Sequence, residues 1–291
     1  MRITLIIVQV ILLIVLSPLI SGIIRKIKNN IRMRKGAGIF QPYYNLAKLF
    51  GKEEVVSENT SWIFKAAPLV VLASSVCALS LVPVFAPSLS LNLMGDFLAI
   101  IFILALGRFF IALAGLDAGS AFGGMGSSRE MFISAFVEPV ALLSIFAVSL
   151  NAGSTDPAAI SGIFSLRLSS IIAAFSLFIV TIAETSRIPV DNQETHLELT
   201  MIHEAMVLEY SGKSLAIIEL ASHIKQAVFF SLIAAVVIPW GDFSLKMAVI
   251  IAAVGLLEVS IAKMRLFRVV DFLSFAFVLS VMAVVVSAAG Y

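Results

Sequence analysis

The sequence predicts an all-α membrane protein with eight transmembrane helices. Apolar residues make up 60% of the chain, charged residues 13%, and the mean hydropathy is +1.07. Those values lie far from a soluble globular domain. Eight runs approach the roughly 20 apolar residues needed to cross a bilayer: 3–24, 66–86, 97–116, 131–150, 166–184, 216–238, 244–262 and 271–289. None alternates as the strands of a membrane barrel would, so helices are the remaining way to satisfy the backbone in lipid.

The first run resembles a signal peptide only superficially. It lacks a small-residue cleavage site and its basic cluster follows the apolar core, so it reads as a retained helix. A short amphipathic helix is expected next, over Gln41–Phe50, where apolar residues share one stripe. Cys77 is the single cysteine, which excludes a disulfide framework and cysteine-ligated clusters. The segment Asp117–Glu130 is rich in Gly and Ser and is expected as a loop; it lacks a phosphate-cradling GxxxxGK[ST] pattern. No linker or internal repeat divides the chain, so 1–291 reads as one polytopic domain.

Orientation follows from Lys and Arg. Segments 25–65, 117–130, 185–215 and 263–270 carry 15 of the 20, against Arg2, Arg167 and Lys246 on the other side. By the positive-inside rule those long loops are cytoplasmic and both termini are outside. Topology thus accounts for the basic residues without nucleic acid.

The carboxylates are less evenly spread. Residues 184–212 hold six of the 18 acids and two of the three histidines. Only Asp96, Asp156 and Asp242 fall on the outer side. Glu138 lies about 10 Å inside the fourth span, at 1.5 Å per residue. A carboxylate there costs a few kcal/mol on insertion scales unless it is paired, hydrated or protonated. Arg108, midway along the third span, is its expected partner. A static ion pair that fixes packing is one reading, and proton movement is the other. The second is favoured because the acids continue through Glu184 into the loop.

After Pro189, Asp191 and Glu194 have capping-box spacing, which predicts a new helix over about 192–210. On that helix Glu194, Glu198 and Glu209 share one face, with His196 and His203 opposite and Glu204 adjacent to His203. A metal site has little support. The chain lacks a His-Glu-x-x-His run, and two histidines seven apart cannot close a zinc site alone. No nucleophile elbow supports hydrolysis.

These residues resemble a known family. Ala183-Glu184-Thr-Ser-Arg187-Ile-Pro189-Val-Asp191, with Glu194, Glu198 and Glu209-Tyr-Ser-Gly212, is similar to the membrane subunit at the elbow of respiratory complex I. Gln41-Pro42, Lys48-Leu49, Lys52-Glu53, Arg129 and Glu138 extend the likeness over nearly the whole chain. One departure selects a branch: His196 stands where the complex I pattern has an acid. The run Thr195–Gly212 and the run from Asp117 through Arg129 and Glu130 look like energy-converting membrane-bound [NiFe] hydrogenases and formate hydrogenlyase. Arg34-Lys-Gly-Ala-Gly-Ile-Phe40 replaces the first-loop pattern of complex I, which argues against a quinone chamber.

The resemblance implies a subunit with no redox centre and no catalytic residue of its own. Iron–sulfur clusters and a NiFe centre are expected in cytoplasmic partners: hydrogenase-like large and small subunits and an iron–sulfur subunit. Antiporter-like subunits are expected beside it in the bilayer. Glu138, Glu184, Asp191, Glu194, His196, Glu198, His203, Glu204 and Glu209 are the expected ion path. Arg108, Arg129, Arg187, Asp117 and Glu130 are expected to tune charge or dock partners. The competing readings are a quinone-site subunit, a stand-alone transporter and a purely structural anchor.

Overall fold

A computed structural model of the chain describes residues 2–82, 97–155, 167–191, 201–237 and 242–290. Ten helices account for most of these residues: α1 Arg2–Ile31, α2 Gln41–Phe50, α3 Trp62–Leu81, α4 Phe97–Asp117, α5 Ala121–Ala152, α6 Leu168–Glu184, α7 His203–Val207, α8 Gly212–Val237, α9 Phe243–Ser260 and α10 Leu266–Ala288. Seven are long and apolar enough to cross a membrane. The eighth apolar helix, α6, has 17 residues and spans about 25 Å at 1.5 Å per residue. The expected all-helical, multi-pass architecture is therefore present.

Two boundaries differ instructively from expectation. Helix α1 runs seven residues past its apolar stretch, through Arg25–Ile31. These residues have good helix propensity, and Lys28 is turned inward and buried. Helix α5 begins at Ala121, so most of the glycine-rich segment is helical and only 118–120 form a break. Ser120 caps it, its Oγ accepting from Gly123 N at 3.2 Å. The glycines serve packing: a Cβ on Gly123 would fall 2.3 Å from the Gly115 carbonyl oxygen of α4. Close backbone approach of this kind is what holds helices together in lipid, where apolar burial drives little.

The core centres on α8, which packs against α1, α2, α3, α6 and α9. Phe229, Phe230 and Leu232 are buried there. Helices α3 and α4 pair on one side, and α5, α6 and α10 form a layer on the other. The expected helix over 192–210 is confined, among the described residues, to the single turn of α7. Residues 192–200 lie outside the description, and with them the expected site residues Glu194, His196 and Glu198.

Candidate functional site: two buried ion clusters

Arg108 stands at the centre of the first cluster. It projects from α4 between α5, α6 and α8, with its side chain 4% exposed. Its Nη1 donates to Glu138 Oε1 at 3.1 Å, its Nη2 donates to Glu184 Oε1, and its Nε lies 3.7 Å from Glu130 Oε1. Lys225 of α8 closes the group, with Nζ 2.6 Å from Glu184 Oε2. Helix geometry explains why both α5 acids reach one guanidinium. Glu130 and Glu138 are eight residues apart, just over two turns, and so lie on the same face.

Glu138 differs from its companions in one respect: its side chain is 37% exposed, at the outer edge of the bundle. Pro139 follows it and removes the N–H that the Ala135 carbonyl would otherwise accept. Glu138 thus lies beside a point where the helical hydrogen-bond ladder loses one donor. Inward, a cavity of about 40 Å³ is lined by Arg108, Glu130, Glu184, Lys225, Ser74 and His203. Burial pushes the His203 imidazole below its ordinary value, against the opposing pull of Glu204.

The loop after α6 builds the second cluster. Three residues beyond Glu184, Arg187 turns the other way, its Nη1 donating to Glu258 Oε1 of α9 at 2.7 Å. Its Nη2 donates to Gln226 Oε1 at 3.0 Å. Lys28 Nζ lies 3.7 Å from Glu258 Oε2. Ser21 bridges the neutral members, donating to Gln226 Oε1 at 2.7 Å and lying 3.0 Å from His223 Nδ1. Further along, Asp191 is 3.4 Å from Lys263 and accepts from the Ile202 and His203 backbone N–H groups at 3.2 and 3.3 Å. Its carboxylate caps α7 from a distance.

The remaining expected residues are placed as follows. Asp117 accepts from Ser61 N, Ser61 Oγ and Phe64 N, which anchors the start of α3. Arg129 donates to the Met201 carbonyl at 2.9 Å, tying α5 to the loop. Glu204 is half-buried and Glu209 exposed. Lys225, Lys28, Gln226 and His223 were not singled out from sequence. An ionisable residue well inside an apolar run was the signal available for Lys225. Among the described residues no three His, Cys, Asp or Glu side chains are arranged to hold a metal ion.

A bundle of membrane-length helices with ion pairs buried between them defines a multi-pass membrane protein. Residues 3–288 match the NADH dehydrogenase family, and the chain belongs to it. It is 35% identical over 237 residues to hydrogenase-4 component C of Escherichia coli (strain K12), covering 80% of this chain and 74% of that protein. It is 29% identical over 279 residues to formate hydrogenlyase subunit 4 of the same organism, covering 89% and 90%. Its fold matches a chain of the membrane-bound sulfane sulfur reductase, an archaeal respiratory membrane complex, with a TM-score of 0.83 at 18% identity, covering 97% of this chain and 99% of that one.

Proposed function

We propose that this chain anchors the cytoplasmic redox arm of a hydrogenase or formate hydrogenlyase-type complex and couples its electron transfer to proton or sodium translocation. The Arg108 cluster carries this reading. Three carboxylates, Glu130, Glu138 and Glu184, face two cations, Arg108 and Lys225, so full ionisation leaves one negative charge in excess. In a low-dielectric interior that excess favours binding a proton, shared among the acids rather than owned by one.

The geometry suits transfer as well as storage. Glu138 opens towards the outside of the bundle, while the cavity joins Glu130, Glu184 and Lys225 to His203 in the loop. At about 40 Å³ it has room for one or two ordered waters. The Glu184-to-Asp191 segment sits where chemistry in a cytoplasmic partner would be felt, and His203 stands at its inner edge. The orientation proposed is that of the charge count, with both termini outside. Exposure of Glu138 within the membrane supports an antiporter-like subunit covering that edge of α5.

The partners proposed are hydrogenase-like large and small subunits and an iron–sulfur subunit, which would hold the NiFe centre and clusters. The similarity to hydrogenase-4 component C and formate hydrogenlyase subunit 4 supports this branch over a quinone-site subunit. The test uses Glu138→Gln and Glu198→Gln in the intact complex. Normal assembly with ion translocation reduced at least about tenfold is expected for the loss of a required proton carrier. Unchanged translocation overturns the relay. Purified complex without a NiFe-type large subunit overturns the assignment to a hydrogenase.

A further inference from the structure

We infer that the cationic end of α1, together with α2, binds the headgroup of an anionic glycerophospholipid from the adjoining leaflet. This site lies on the α1 surface, away from the Arg108 cluster, and does not depend on the ion path. Helix α1 sorts its basic residues by face. Lys28 turns inward to Glu258. Lys26 continues the outward stripe that contains Val8, Leu12 and Val15, because these positions fall within about 60° of one another at 100° per residue. Val8 and Val15 are more than half exposed, so the stripe faces the hydrocarbon. Just beyond it Arg32, Arg34 and Lys35 are exposed in the turn that follows α1.

None of the four outward cations forms an ion pair or side-chain hydrogen bond with another described residue. The positive-inside rule explains why basic residues sit at this end of α1. The cations that meet acids, Lys28, Arg108, Arg187, Lys225 and Lys263, are turned inward, whereas these four face outward and are open to a ligand.

Helix α2 completes the site. The chain returns so tightly along α1 that a Cβ on Gly22 would fall 2.0 Å from the Ile39 carbonyl oxygen. The Tyr43 hydroxyl then donates to the Val15 carbonyl. Both contacts place α2 on the membrane side of the cations, alongside the apolar stripe. Phe40 and Tyr44, 59% and 69% exposed, give the ledge the aromatic character of a headgroup-level belt. Cations above, an aromatic ledge at the boundary and an apolar stripe below match an anionic phospholipid from phosphate to acyl chain. A soluble protein partner would meet the cations but could not follow the stripe into hydrocarbon.

The test measures phospholipids retained by the intact complex, purified in detergent and analysed by native mass spectrometry after exchange with phosphatidylglycerol, cardiolipin or phosphatidylcholine. Replacing Lys26, Arg32, Arg34 and Lys35 by Gln should weaken retention of the two anionic lipids by about fivefold per charge removed. Phosphatidylcholine retention should not change. Arg265→Gln with Arg268→Gln, at the start of α10, serves as the control and should leave anionic lipid bound. Equal retention in the fourfold variant overturns the site, as does an equal loss in the control. Loss of a protein subunit with lipid retention unchanged would instead assign the patch to a protein and likewise overturn it.

Discussion

Glu184 and Arg187 stand three residues apart, yet they belong to clusters of different make-up, one gathered from carboxylates around Arg108 and one built around the Arg187 guanidinium. Among the described residues three carboxylates gather around Arg108 with Lys225, whereas Arg187 and Lys28 both meet the carboxylate of Glu258. The difference matters because carboxylates and a guanidinium do not titrate alike. Surplus carboxylate is relieved by one proton. A guanidinium cannot lose its charge in a protein, so acceptors must take up its hydrogen bonds. Ser21 and Gln226 do so here. In the proposed function the first cluster exchanges a proton, while the second braces α1, α8 and α9 against the loop.

The largest effect expected is from Arg108→Gln, which leaves three acids converging without their shared guanidinium. Breaking a buried pair in this way costs about 3–5 kcal/mol. The subunit should be lost from membranes, as read by its abundance and by the melting of the purified complex. Normal abundance would show that the carboxylates simply take up protons, and would make Arg108 dispensable to the fold.

A contrast of single variants sharpens the division further. Glu258→Gln removes the carboxylate between Arg187 and Lys28 and should destabilise the complex by about 3 kcal/mol. Ion translocation per assembled complex should be unchanged. Glu138→Gln should do the reverse, because a half-exposed acid contributes less to packing. If Glu258→Gln also stops translocation in assembled complex, the brace is part of the path.

The smallest effect concerns His203. Burial lowers its folded-state value, so below about pH 6.5 the unfolded chain binds more protons than the folded one. The stability it contributes is present above that pH and lost as pH falls through the folded value. Melting of the complex between pH 7 and pH 5 should therefore fall less in His203→Asn than in the parent protein. An identical pH profile would show that His203 binds protons equally in the folded and unfolded chain.

The membrane-length helices were legible because hydropathy and length are properties of a linear segment. Helix α2 was legible for the same reason, from its apolar stripe. The glycine-rich run 117–130 was not, since its glycines read locally as loop while their use is close contact between α4 and α5. The pairing of Arg108 with Glu138 was within reach because each is an isolated charge in an apolar run. The gathering of Glu130, Glu184 and Lys225 at the same guanidinium was not, since it depends on how four helices rotate and stagger against one another.

By itself, then, the sequence determined the helices, the depth of each charge and the asymmetry of the basic residues. These follow from the cost of placing polar groups in lipid. Only the tertiary structure decided which charges meet. Glu184 and Arg187 are neighbours on one turn of chain, and the direction each side chain takes from that turn sends one to an acid-rich cluster and the other to a cation-rich one. The make-up of each cluster arises from packing between helices and is written in no single segment.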